Sequence, residues 1–231
     1  MKRVSINSFE MKNIGFNYGA GEMIFTDVNY VFNPGEVLFI QGPQGAGKNT
    51  LIKLMLGLLS PTQGDYLVNG TSVNQFSYAE FDPIRLNIGY SFDVGGLINN
   101  QSLYENMMLL LNFHNFIEPS KRFDHIVNLL ARFQIDEHKH LRPSAVSSSI
   151  RKMAVVLRAF LLHPEIVILD NPTQGISVEM IPAFMELIEE HRQKHNLKHI
   201  IISSDDKNLI NQLGGRVMHV TRTGLLEESR Q

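Results

Sequence analysis

A chain of 231 residues, 43% hydrophobic and 19% charged, is long enough to bury the core of one substantial domain and is not disordered in composition. Its net charge of -2 offers no basic excess for a nucleic-acid partner, so that class is set aside. Cysteine is absent, which excludes disulfides and thiolate metal sites and fits a cytosolic setting. Lys2 and Arg3 near the start have no apolar run behind them, unlike a secretory signal. No stretch reaches the roughly 18 to 20 apolar residues that span a bilayer, so a membrane role is expected to act through a partner.

Residues 8–41 read as strands: Phe25, Val28, Tyr30 and Phe32 fall near alternation, and the Pro34-Gly35 turn precedes the apolar run Val37-Leu38-Phe39-Ile40. After a glycine-rich loop, Leu51, Leu54, Met55 and Leu58 recur at helical spacing, which predicts a helix ended by Pro61. Asp65–Val68 reads as a short strand stopped by Asn69-Gly70. From about Gln101 to Leu162 the pattern is mostly helical, with Ile150, Ala154, Leu157 and Leu161 on one face. Ile166–Leu169 suits a buried parallel strand, Ile181, Phe184, Met185 and Ile188 mark another helix, and His199–Ile202 and Arg216–Val220 read as closing strands. Strands alternating with helices predict an α/β sheet with a helical insertion.

Gly42-Pro43-Gln44-Gly45-Ala46-Gly47-Lys48 lies between a predicted strand and a predicted helix, where a Walker A phosphate loop must lie. Glycines let successive backbone N–H groups curl around phosphate oxygens, the helix N-terminus adds a favourable dipole, and the lysine reaches the β- and γ-phosphates. The motif then asks for a Ser or Thr hydroxyl on Mg²⁺, and Asn49 stands there instead. An amide oxygen binds hard cations, but its longer reach displaces the metal, so Mg²⁺ is left in doubt. Thr50 follows, within reach of a phosphate.

From here the chain resembles the ATP-binding cassette (ABC) family over nearly its whole length. Phe16-Asn17-Tyr18 is similar to the family's aromatic loop, which implies that Tyr18 stacks on adenine; Phe32–Glu36 resembles the approach to the phosphate loop, and Gly57–Gly64 the stretch after its first helix. The resemblance implies a P-loop α/β fold with an N-terminal antiparallel β subdomain. It implies one domain over 1–231, with a core of 1–92 and 165–231 and a helical lobe of 93–164. ATP is the implied cofactor. The implied partners are a second nucleotide-binding subunit, as homo- or heterodimer, and a transmembrane permease that holds the chain at the cytoplasmic face of the inner membrane.

The later motifs match in position and depart in chemistry. Ile88–Asp93 resembles the segment that ends in a Mg²⁺-sensing, partner-contacting glutamine, and its last residue here is Asp93. Val146–Arg151 aligns with the Leu-Ser-Gly-Gly-Gln signature: Ser147 is kept and remains a good N-cap, while Ser148 and Ser149 replace the paired glycines. Ile166–Asp170 matches Walker B, which implies Mg²⁺ held through Asp170, yet the glutamate position that follows is Asn171. Ser177 stands for the aspartate of the dimer-spanning loop, and Ser204 for the switch histidine.

A water-polarising base is worth about 10²–10⁴ in rate and a preorganised donor about 10²–10³, without clean multiplication. The expectation is therefore a degenerate transporter subunit that binds ATP and hydrolyses little or none. Gly95-Gly96-Leu97, Ser102–Asn106 and Leu109–Leu111 resemble ATPases of bacterial lipid-trafficking importers, beside the plainer reading of a generic coupling surface. Two alternatives stand beside it: an active ATPase energising a transporter, and a scaffold or regulatory protein that uses the fold for interaction alone. His191 and His195 lie four apart on a predicted helix, but its charged end argues for a solvated face rather than a metal site. His138-Lys139-His140 reads as a polar loop or helix end.

Overall fold

In the computed structural model, which describes residues 3–221 and 226–230, Phe9–Asn17 (β1) and Met23–Phe32 (β2) form an antiparallel pair in which Phe9 faces Phe32 and Met11 faces Tyr30. Gln63–Val68 (β4) and the short Thr71–Ser72 (β5) extend this sheet in the order β2-β1-β4-β5. Its inward face is aromatic: Phe9 meets Phe32 and Tyr66 edge-on at 4.6 and 4.8 Å, geometry that favours ring quadrupoles.

The chain divides into two compact units, one of Gly89–Leu197 and the other of the residues on either side. The flanking unit holds the antiparallel sheet and a second one. There Val37–Gln41 (β3) runs parallel to His199–Ser203 (β8) on one side and Arg216–Val220 (β9) on the other, and Leu226–Arg230 (β10) joins β9 antiparallel. Val37–Ile40 of β3 and Ile200–Ile202 of β8 read as apolar runs because a parallel strand covered on both faces favours apolar residues at successive positions. Around them lie Lys48–Met55 (α1), Tyr78–Arg85 (α2) and Lys207–Leu213 (α7).

α1 is shorter than its apolar spacing predicts. It stops at Met55, six residues before Pro61, because Gly57 turns left-handed (φ 63°) and the N–H groups of Gly57 and Leu58 donate back to the carbonyls of Leu54 and Lys53. That paired closure satisfies the last carbonyls of the helix and leaves Leu58 outside it, half exposed. The Asp65–Val68 strand and the Asn69-Gly70 turn are present as read, with Asn69 and Gly70 both at positive φ. α2, β5 and α7 carry too few periodic apolar positions to be read from sequence.

The other unit has the short strands Ile88–Ser91 (β6) and Ile166–Asp170 (β7) side by side, β6 beginning one residue before the unit's boundary. Its helices are Leu103–His114 (α3), Pro119–Ala131 (α4), Ser148–Phe160 (α5) and Met180–Lys194 (α6). α3 opens with a reciprocal cap: Ser102 Oγ accepts from the Glu105 N–H, and the Glu105 carboxylate accepts from the Ser102 N–H. Ala154, Leu157 and Leu161 are buried as their spacing predicts, and β7 is buried throughout. Among the described residues no helix is long and apolar enough to cross a membrane.

Candidate nucleotide-binding site

Each unit carries part of the predicted machinery. In the flanking unit the loop after β3 is built for close backbone approach. Gly42 (φ 148°) lies against the carbonyl of Val220, and a Cβ there would sit 2.2 Å from that oxygen. Gly47 (φ 98°) caps α1, whose first residue is Lys48. Gln44 and Gly45 are exposed and Ala46 is buried, its N–H donating to the Pro43 carbonyl, so the loop is anchored at Ala46 just before a helix start. Lys48 Nζ donates to the carbonyls of Gly42 and Pro43, folding the ammonium over the loop. These residues fit a polyphosphate: a bare backbone cradle, a helix N-terminus and one cation converge there.

Asn49 is exposed, and it supplies an amide where a metal-binding hydroxyl is asked for. The Thr50 hydroxyl is buried and lies 3.1 Å from Tyr18 Oη. Tyr18 is itself half exposed and stands edge-on to Phe16 at 4.9 Å. Ser204, just past β8, is buried. Its N–H donates to Ile40 of β3, and its hydroxyl accepts from the Asp206 N–H. The carboxylate of Asp206 then caps α7 through the N–H groups of Asn208 and Leu209.

In the unit Gly89–Leu197, Asp170 ends β7 and is 4% exposed. Asn171 follows with φ 45°, a left-handed conformation that asparagine tolerates better than glutamate. Ser147 caps α5 by accepting from the Ile150 N–H at 3.3 Å. Ser149 Oγ accepts from the Ser177 N–H at 2.8 Å, so one of the two serines in place of glycine is tied to the segment after β7.

Sequence reading missed the residue that organises this region. Lys152, one turn beyond Ser149 on α5, is 9% exposed. Its ammonium donates to the carbonyls of Phe92, Asp93 and Asp170 at 3.1, 3.0 and 2.9 Å, and to the Asp93 carboxylate at 3.2 Å. Asp93, predicted to couple to a partner, thus has an ion-pair partner within its own unit. Burial pulls the Lys152 ammonium below its usual range, against the pull of Asp93 and Asp170. Burial, reinforced by the carboxylates of Asp170 and Asp93, pushes the Tyr90 phenol up to about 12, so this tyrosine stays neutral.

Compared with known protein families, residues 25–174 match the family described as ABC transporter. The chain belongs to the ABC transporter family.

Two curated relatives within the family match over most of their length. The ABC transporter ATP-binding protein YtrE of Bacillus subtilis is 31% identical over 80% of this chain and 80% of its own. The intermembrane phospholipid transport system ATP-binding protein MlaF of Haemophilus influenzae is 28% identical over 88% of this chain and 77% of its own. In fold, the chain resembles a dimeric ATP-binding cassette solved in a post-hydrolysis state with ADP and Pi, at a TM-score of 0.85 and 23% identity over 96% of this chain and 98% of that one. The ABC-type P-loop fold expected from the sequence is the fold of this chain.

The histidine expectation needs correction. His191 is 4% exposed and not on a solvated face, because α6 turns it inward toward the carbonyls of Leu187 and Phe160. His138 closes a single 3₁₀ turn, Asp136–His138.

Proposed function

We propose that this ABC-family chain is the ATP-binding subunit of a membrane transporter, taking ATP on residues Gly42–Thr50 with Tyr18 against the base, and hydrolysing little or none of it. Asn171 carries this reading: the position after Asp170 offers an amide with no useful basicity, in a backbone conformation suited to that asparagine. Ser204 in place of a switch histidine and the tie between Ser149 and Ser177 point the same way. Phosphoryl transfer depends on positioning and charge stabilisation, and these positions supply neither a base nor a sensor of developing charge.

Asp170 would be the residue to hold Mg²⁺, and Asn49 presents an amide where the motif asks for a hydroxyl; the metal would supply charge neutralisation on the phosphates. On this reading the chain is a single domain with a core of 1–92 and 165–231 and a helical lobe of 93–164. It pairs with a second nucleotide-binding subunit and sits at the cytoplasmic face of the inner membrane through a permease. The likeness to MlaF supports a lipid cargo. In a homodimer both composite sites would carry the altered signature.

Calorimetric titration with ATP, with and without Mg²⁺, run beside a phosphate-release assay, tests the proposal. Binding lost in Lys48→Ala, with no turnover heat and no phosphate above background, is the expected result. Turnover at the rate of an intact cassette ATPase, abolished by Lys48→Ala, would favour the active-ATPase reading and overturn this one.

A further inference from the structure

Within the unit Gly89–Leu197, at the end of α5 remote from the signature serines, four imidazoles meet. His125 comes from α4, His163 from the turn between α5 and β7, His191 from the last turn of α6 and His195 from its C-cap. His163 and His195 stack face to face, with centroids 3.8 Å apart and planes at 12°. His163 Nδ1 lies 3.3 Å from His191 Nε2, and the rings of His191 and His195 are 4.9 Å apart. His125 stands edge-on to His163 at 5.2 Å.

The hydrogen bonds assign the protons. His191 Nδ1 is 2.9 Å from the Leu187 carbonyl, so it carries a hydrogen and donates there. In the neutral ring Nε2 is then a lone pair, which accepts from the Nδ1–H of His163, with the Phe160 carbonyl also 3.3 Å from it. His125 Nε2 donates to the Leu161 carbonyl at 3.0 Å. The set is thus consistent with neutral rings. A proton added to His191 turns Nε2 into a donor that the Phe160 carbonyl can accept, and it leaves the His163 Nδ1–H facing a second donor at 3.3 Å. His163 must then change tautomer or turn away, and turning breaks its stack on His195.

Charged neighbours only partly offset this. Glu190 on α6 favours protonation of His191 and His195, but its carboxylate is already held by Arg132 of α4 and Lys194 of α6. Lys194 and His125 oppose charge on His195, and Glu165, from the turn that carries His163, reaches Asn196 instead. Burial dominates, and it holds both His191 and His195 below the ordinary histidine range. A metal does not explain the cluster. His163 and His195 oppose ring faces rather than nitrogens, and among the described residues no three His, Cys, Asp or Glu are grouped to hold an ion.

We propose that His125, His163, His191 and His195 form an acid-sensitive latch, which fastens the end of α6 to the end of α5 while His191 and His195 are neutral and releases it when those two take protons. The signature serines lie about 20 Å away along the same helix, so the latch governs how firmly α5 is seated. This stands independently of whether ATP is hydrolysed.

In an opened state histidine titrates near ~6.5, whereas His191 and His195 sit lower in the closed one. The latch is therefore fully formed above about pH 6.5 and lost as pH falls toward the closed-state values. With two protons taken up, the opening constant rises about a hundredfold per pH unit in that window.

Amide hydrogen exchange of the full chain between pH 7.5 and 5, corrected for intrinsic rates, reads this directly. Protection of the amides from His191 to Leu197 is expected to fall about a hundredfold per unit below pH ~6 while α3 holds, and only about tenfold in His195→Gln. A pH-independent protection, or an equal slope in His195→Gln, overturns the proposal. Should the variant fail to fold, proton NMR of the unsubstituted chain decides: His191 and His195 titrating at or above the ordinary value also overturn it.

Discussion

Replacing Lys152 by methionine keeps an unbranched, apolar stem of similar length and removes only the ammonium. Three backbone carbonyls, those of Phe92, Asp93 and Asp170, then lose their donor, and the Asp93 carboxylate loses its counter-charge. A buried acceptor left unpaired costs about 1–3 kcal/mol. Asp93 is about one-third exposed, so its share is small and water replaces part of what is lost. Relief from burying the charge offsets some of the remainder, since burial already works against the Lys152 ammonium. The net expectation is a destabilisation of about 2–4 kcal/mol in the unit Gly89–Leu197. Urea unfolding followed by proteolysis within residues 89–197 measures it, and a double substitution with Asp93→Asn should cost less than the sum of the two, because they share one interaction. A loss below about 0.5 kcal/mol would refute the view that this ammonium ties the three segments together.

Two further outcomes follow from the same region. With its phenol raised to about 12, Tyr90 contributes stability that is complete below pH ~10 and lost as pH rises toward 12; Tyr90→Phe should remove one late-titrating phenolate from the alkaline difference spectrum and flatten stability across that window. Asn171→Glu should raise phosphate release at least about tenfold above background while costing about 1–2 kcal/mol, because glutamate is forced into φ 45°; no gain in rate would mean that the missing base is not what limits turnover.

The phosphate loop and the strands at 37–40, 65–68, 166–169, 199–202 and 216–220 could be read from the chain because both are local: a glycine spacing between an apolar strand and an amphipathic helix, and apolar runs bounded by turns. Helix ends were harder. The spacing of Leu51, Leu54, Met55 and Leu58 carries no sign that Gly57 closes α1 by turning left-handed, whereas Pro61 stands out as a breaker and stops nothing. Lys152 could not be recognised at all. A lysine inside a helix usually faces water, and only the fold brings Phe92, Asp93 and Asp170 to it from 60, 59 and 18 residues away. The histidines divide along the same line. His191 and His195 are visible as a pair at helical spacing, but His125 and His163 join them only through packing. Asn171 and Ser204 could be placed from the chain because they stand inside motifs with fixed positions.

The strand that bears the phosphate loop has a birth order of its own. β3 is made before its neighbours in the flanking unit, β8 and β9, which follow some 160 and 180 residues later, and the carbonyl that abuts Gly42 belongs to Val220. A nascent chain that has not reached residue 199 carries the whole glycine loop with nothing on either side of β3 in that unit. Such long-range parallel pairing is slow to form and leaves a bare apolar strand waiting. The backbone cradle at Gly42 is therefore completed only once the chain has been made as far as Val220.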